Sequence, residues 1–295
     1  MRILQIFAVG IMAIVGGISS AFAVPNPDFH IYLCIGQSNM EGNAAVEAVD
    51  FQGVPDRFMV MATTDFSEPV RYTGEWYAAK PPLVRENTGL TLMDYFGRTM
   101  IDNLPENIKV GVVPVAIGGC RIEHLDKDFD PASLVSEAEW FRNFMHAYED
   151  RPFQRLIACA KKAQKEGVIK GILLHQGESN NGDHEWCAKV KKVYDDILAE
   201  LGLEPESVPL LAGEVVSSEQ GGVCGDMNAI IRTLPETLPV AHVISSAELP
   251  QRGDGLHFTA QAYRILGCRY AVEMLALMGI NNPKVEHSED TIKNR

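Results

Sequence analysis

His30-Ile31-Tyr32-Leu33-Cys34-Ile35-Gly36-Gln37-Ser38-Asn39-Met40 is the stretch that decides the fold. Its first six residues form an unbroken run rich in β-branched and aromatic side chains, and Gly36 ends it. A run of this length without polar alternation reads as a strand covered on both faces, as in a parallel sheet sandwiched between helices.

Similar runs recur at 110–117, 169–174, 209–216 and 240–245, with a further short one at 58–62. Segments of helical period fall between them at 90–104, 132–163 (broken at Pro152), 186–201, 226–234 and 259–278. This alternation predicts an α/β fold, a three-layer α/β/α sandwich around a mainly parallel five-stranded sheet with right-handed crossovers. No low-complexity linker or internal repeat interrupts it, so a single domain is expected over 24–280, followed by a polar tail at 281–295.

The amino terminus reads differently. Arg2, an apolar run over 3–18 and the small-x-small pattern Ala21-Phe22-Ala23 predict a secretory signal peptide cleaved after Ala23, and hence an exported (secreted or periplasmic) protein. With 39 acidic against 26 basic residues the formal net charge is −13. Such a surface disfavours nucleic acid and anionic lipid as partners and is compatible with neutral substrates such as sugars. Six cysteines in an exported chain permit disulfides. Cys187 with Cys224 is the pair expected if any forms, whereas Cys34 and Cys159 read as buried thiols.

Ligands of open parallel sheets bind beyond the carboxyl ends of the strands. There the chain carries Gly36-Gln37-Ser38-Asn39-Met40, Gly118-Gly119, His175-Gln176-Gly177-Glu178-Ser179-Asn180 and Asp254-Gly255-Leu256-His257. A serine hydroxyl is a weak nucleophile and needs a base. Asp254 and His257 lie three residues apart just before a helix, so the carboxylate can hold one ring nitrogen while the other faces Ser38. The Gly-x-Ser-x-Gly elbow of α/β-hydrolases is absent, because Met40 stands in its last position. Singly these residues read as turns and loops; their order along the chain promotes them.

An early Ser with a late Asp-x-x-His, together with these four blocks, resembles the SGNH (GDSL-like) hydrolases, and Gly36-Gln37-Ser38-Asn39-Met40 is similar to the first block of their sialate O-acetylesterase and acetylxylan esterase branch. The resemblance covers most of the mature chain. It implies a flavodoxin-like SGNH fold and a carbohydrate O-acetylesterase acting on acetylated oligo- or polysaccharide, with sialate O-acetylesterase as the alternative. Outside the enzymes, an inactive carbohydrate-binding protein on the same fold is the rival.

On this resemblance Ser38 is the nucleophile, His257 the base, and the oxyanion hole takes the backbone of Ser38 and of Gly118 or Gly119, with Gly119 favoured, plus the Gln176 amide. Side-chain amides supply N–H donors suited to that role. Asp254 is taken to orient His257, with Glu178 as the alternative acid, the part it plays in some members of the branch. The chemistry calls for no cofactor and no metal.

Two other patterns compete. Asp126, Asp128, Asp130 and Glu137 have calcium-loop spacing, but Pro131 stands where a Gly is required, so the segment reads as a solvated acidic loop. Arg121, beside the glycine pair, reads equally as a sugar contact or an internal ion pair. Trp76, Tyr77, Trp140 and Trp186 are candidate sugar-stacking aromatics or core.

Overall fold

The structure, a computed structural model, describes residues 24–285; the expected signal peptide and residues 286–295 of the tail lie outside the described residues. The strands are β1 (Phe29–Gly36), β2 (Phe58–Met61), β3 (Trp76–Ala78), β4 (Lys109–Ala116), β5 (Val168–His175), β6 (Leu210–Gly213) and β7 (Ala241–Ile244). They form one sheet in the order β3-β2-β4-β1-β5-β6-β7, parallel except for β3. The sheet therefore has seven strands, not five. The run at 58–62 is β2. β3 went unread because three residues carry no periodicity; it is held as an antiparallel edge, with Val60 opposite Tyr77.

β1 is buried throughout and sits in mid-sheet between β4 and β5. Its side chains divide by the two-residue period of a strand. Ile31, Leu33 and Ile35 enter one core with α4 (Pro152–Ala163) and α5 (Trp186–Leu201). Tyr32 and Cys34 enter the other with α2 (Leu92–Asn103) and α8 (Ala260–Leu277). Both faces are thus covered, each fully buried aliphatic side chain contributing about 1.5–3 kcal/mol. Among the described residues no helix is long and apolar enough to cross a membrane.

Helix boundaries follow local chemistry. Thr91 caps α2, its hydroxyl accepting from Met93 N while Asp94 accepts from Thr91 N; Thr259 caps α8 through Ala262 N. The segment expected as one helix broken at Pro152 is broken twice. A 3₁₀ turn (Pro131–Ser136) precedes α3 (Glu139–His146), because Ser133 and Ser136 hydroxyls bond back to Asp130 O and Ser133 O and compete with helical pairing. Likewise 226–234 is two short pieces, α6 (Met227–Ile231) and α7 (Leu234–Thr237). β6 stops at Gly213 because the Asn228 amide takes both backbone groups of Val215.

The chain fills one side of β1 first (β2, β3, then β4 between β2 and β1) and then runs outward on the other (β5, β6, β7). The carboxyl ends of β1, β4 and β5 consequently flank the switch point, where a crevice opens.

Candidate active site

The chain turns sharply where β1 ends. A Cβ on Gly36 would lie 2.1 Å from His175 O, so only glycine permits β1 to pass β5 this closely. Gln37 N donates to His175 O at 3.0 Å, and the one-turn helix α1 (Ser38–Glu41) begins at once. Ser38 is thereby lifted above the sheet edge.

His257 meets it from the loop before α8. Its Nε2 lies 2.9 Å from Ser38 Oγ and its Nδ1 2.7 Å from Asp254 Oδ2. The three-residue spacing works because Asp254 Oδ1 accepts from the backbone N–H of Leu256 and His257, both at 2.9 Å, which curls the loop around the carboxylate. Arg252 Nε adds a bond to Oδ2 at 2.9 Å. Burial works to raise the Asp254 carboxyl, but the bonds from His257, Leu256 and Arg252 outweigh it and hold the group well below the usual carboxylate range.

Asn39 joins the two loops. Its amide donates to Leu256 O (2.9 Å) and to Glu178 Oε1 (2.5 Å), while its oxygen accepts from Phe258 N (3.3 Å) and the Tyr263 hydroxyl (2.6 Å). The residue after the serine thus fixes the backbone on both sides of His257.

Glu178 lines the same cleft without taking the place of Asp254, since Asn39 is the side chain bonded to it and its Oε2 is buried without a partner. Burial pushes its carboxyl up to about 7. Gln176 is not in the cleft. It is fully buried, its amide nitrogen donating to Asn180 Oδ1 (2.7 Å), Gln37 Oε1 (3.1 Å) and Cys120 O (3.3 Å), its oxygen accepting from Trp186 Nε1 (2.5 Å). The expected oxyanion donor is instead a brace beneath the site.

Gln37, not Gln176, lines the cleft. Its Oε1 accepts from Gln176 Nε2, Gly177 N and Ser179 N, which fixes the flip of the amide. Its Nε2 is left without a protein partner among the described residues, in a side chain that lines the cleft beside Ser38. Two backbone groups there are also unspent, Ser38 N and Gly119 N. Gly118 N is occupied by Glu41 Oε2 at 3.2 Å. Gly119 has φ 80°, and a Cβ there would meet the Trp140 ring at 2.7 Å. The sequence signal for Gln37 was only its adjacency to Ser38.

The cleft has a volume of about 540 Å³. One wall is an ion pair that sequence reasoning missed, buried Glu41 with Arg85 at 2.5 Å, the guanidinium lying 4.1 Å over the Phe144 ring. Of the candidate aromatics only Trp140 lines the cleft and is exposed; Trp186 is core, Trp76 packs on Phe29 and Tyr77 lies on edge strand β3. Arg121 is exposed and outside the cleft lining.

Asp126 and Asp128 gather with Asp196 around the Lys192 ammonium, at 2.6, 2.9 and 3.0 Å, so a lysine stands where a cation would. All six cysteines are free: Cys187 Sγ is bonded to Ile230 O and Cys224 Sγ to Glu178 O, and the pair expected between them is not formed.

A serine hydroxyl, an imidazole and a carboxylate thus stand in series at the carboxyl edge of a parallel sheet. The chain belongs to the family described as carbohydrate esterase, sialic acid-specific acetylesterase, whose model matches residues 28–276. It is a member of a hydrolase family of carbohydrate acetylesterases on the SGNH-like fold.

Solved structures show the same fold. A protein from Arabidopsis thaliana matches with TM-score 0.62 at 20% identity, over 85% of this chain and 99% of its own. NanS matches with TM-score 0.64 at 15% identity, over 86% and 98%. A carbohydrate acetylesterase from Xanthomonas citri matches with TM-score 0.58 at 18% identity, over 84% of this chain but 56% of its own.

Proposed function

We propose that the protein removes acetyl groups from carbohydrate through an acetyl-enzyme on Ser38. The observation that carries this reading is the series Ser38 Oγ, His257, Asp254 with contacts of 2.9 and 2.7 Å. Ser38 Oγ attacks the acetyl carbonyl carbon while His257 Nε2 takes the hydroxyl proton, and Asp254 holds the imidazolium that results. The oxyanion meets the N–H groups of Ser38 and Gly119 and the amide of Gln37. As the C–O bond to the sugar breaks, His257 returns the proton to the departing sugar oxygen. Water then adds to the acetyl-enzyme by the same route and acetate leaves.

The favoured substrate is an acetylated plant-type polysaccharide such as acetylxylan. Acetylated sialic acid is the second reading, favoured by the description of the family that matches the chain. A carbohydrate-binding protein without catalysis is separated from both by one assay. Ser38→Ala should lower acetate release from a chromogenic acetyl ester by about a thousandfold or more with folding intact. Wild-type protein that releases no acetate, or a variant that keeps most of the activity, contradicts the reading.

A further inference from the structure

Beside the catalytic cleft lies a second basin of about 560 Å³, and the two share Arg85 and Asn87 as lining residues. Each alone has the size of a site for one small ligand, and Arg85 and Asn87 border both. The far basin is lined almost wholly by polar side chains, among them Thr64, His146, Glu149 and Arg155. Peptide or lipid would need apolar anchors there, whereas sugar hydroxyls need donors and acceptors.

Unspent hydrogen-bonding groups belong to the residues that line this basin. Among the described residues, the Arg85 Nη1, the Asn87 amide and the His146 Nε2 have no protein partner, while the His146 Nδ1 is held by Asp150 at 2.7 Å. Both arginines are already neutralised, Arg85 by Glu41 at 2.5 Å and Arg155 by Glu149 at 2.8 Å. An anionic ligand would therefore find no uncompensated cation, and the acidic protein as a whole repels it.

The rim of the basin is also conformationally costly. Glu149 and Asp150, consecutive and neither of them glycine, have φ of 57° and 58°. Left-handed conformations are strained for residues with a Cβ and gather at ligand clamps and active sites. Here they hold Glu149 on Arg155 and Asp150 on His146, setting two walls of the basin.

From these observations we infer that the basin bounded by Arg85, Asn87, His146 and Glu149 is a second sugar subsite, which binds the neutral units adjoining the acetylated one. The inference rests on the esterase reading and adds where the sugars beyond the acetylated unit are held. Binding energy from the adjoining units can be spent at the reacting carbonyl, so a chain should be cleaved faster than a single sugar.

The test compares kcat/KM for acetylated xylotriose, acetylated xylose and 4-nitrophenyl acetate, in wild type and in His146→Ala and Asn87→Ala. The chain should exceed the single sugar by about tenfold or more. Each substitution should cut that ratio by about threefold, as expected for one or two lost hydrogen bonds.

A wild-type ratio near one, with the aryl ester still cleaved, overturns the subsite and leaves the esterase reading standing. A high ratio that neither substitution lowers also overturns it. No cleavage of any of the three esters overturns the esterase reading and the subsite together.

Discussion

Two loops bring an acid to the cleft around Ser38 and treat it in opposite ways. In the loop before α8, Asp254 remains a third exposed and accepts from Arg252, Leu256 and from both the backbone and the ring of His257, so its charge is stabilised. In the loop after β5, Asn39 is the side chain bonded to Glu178, whose second oxygen is buried without a partner, so burial opposes its charge and its carboxyl rises to about 7. The difference teaches that surroundings, not residue type or proximity, divide the labour between two carboxylates. Asp254 suits the imidazolium that the proposed acyl transfer would form on His257. Glu178 braces Asn39, and through it both ends of the His257 loop.

A similar contrast separates the two glutamines, and it offers a large effect in turnover. Gln37→Ala removes a donor whose free N–H faces the cleft, and should lower kcat by about a hundredfold with KM nearly unchanged. Gln176→Ala should act on folding, costing about 1–3 kcal/mol in a denaturation experiment, because it strands the buried Trp186 N–H. If the two variants exchange these signatures, the division between donor and brace is the reverse of the one drawn from the structure.

The smallest effect concerns Glu178 and sharpens the comparison of the acids through stability. Its folded carboxyl titrates near 7 against an ordinary value of 4.5, so the folded state holds the proton more tightly. Stability is then greatest below the ordinary range and falls as pH rises through the window between the two values. Glu178→Gln keeps the bond from Asn39 and removes that loss. Its Tm should exceed wild type by several degrees at alkaline pH, each kcal/mol of that loss being worth about 2–4 °C in a domain this size. The difference should vanish at acid pH. A variant less stable than wild type at alkaline pH would mean that the ionised Glu178 is welcome where it sits.

Much of this was legible in the sequence because it depended on short range. The apolar runs that became β1, β4, β5 and β7 need only their own composition to be read, and Asp254-x-x-His257 forms its carboxylate–imidazole pair within one loop. The residues that escaped depend on partners far along the chain. The amide of Gln37 faces the cleft because Gln176, Gly177 and Ser179 occupy its oxygen, and nothing near Gln37 says so. Glu41 and Arg85 are 44 residues apart and read as separate surface charges until α1 and the loop before α2 meet. The register of β3 is set by its partner β2, and Trp140 differs from Trp186 only in which side of its helix the core covers.

The central claim is that Asp254, and not Glu178, holds the base of the acyl transfer, and one comparison tests it most directly. Turnover of Asp254→Asn and of Glu178→Gln is measured beside wild type on one acetyl ester, since each change keeps shape and removes charge. Asp254→Asn should lose about a thousandfold or more, as orienting acids of such triads do when their charge is removed, and Glu178→Gln far less. A crippled Glu178→Gln beside a nearly normal Asp254→Asn would contradict the account and pass the orienting role to Glu178.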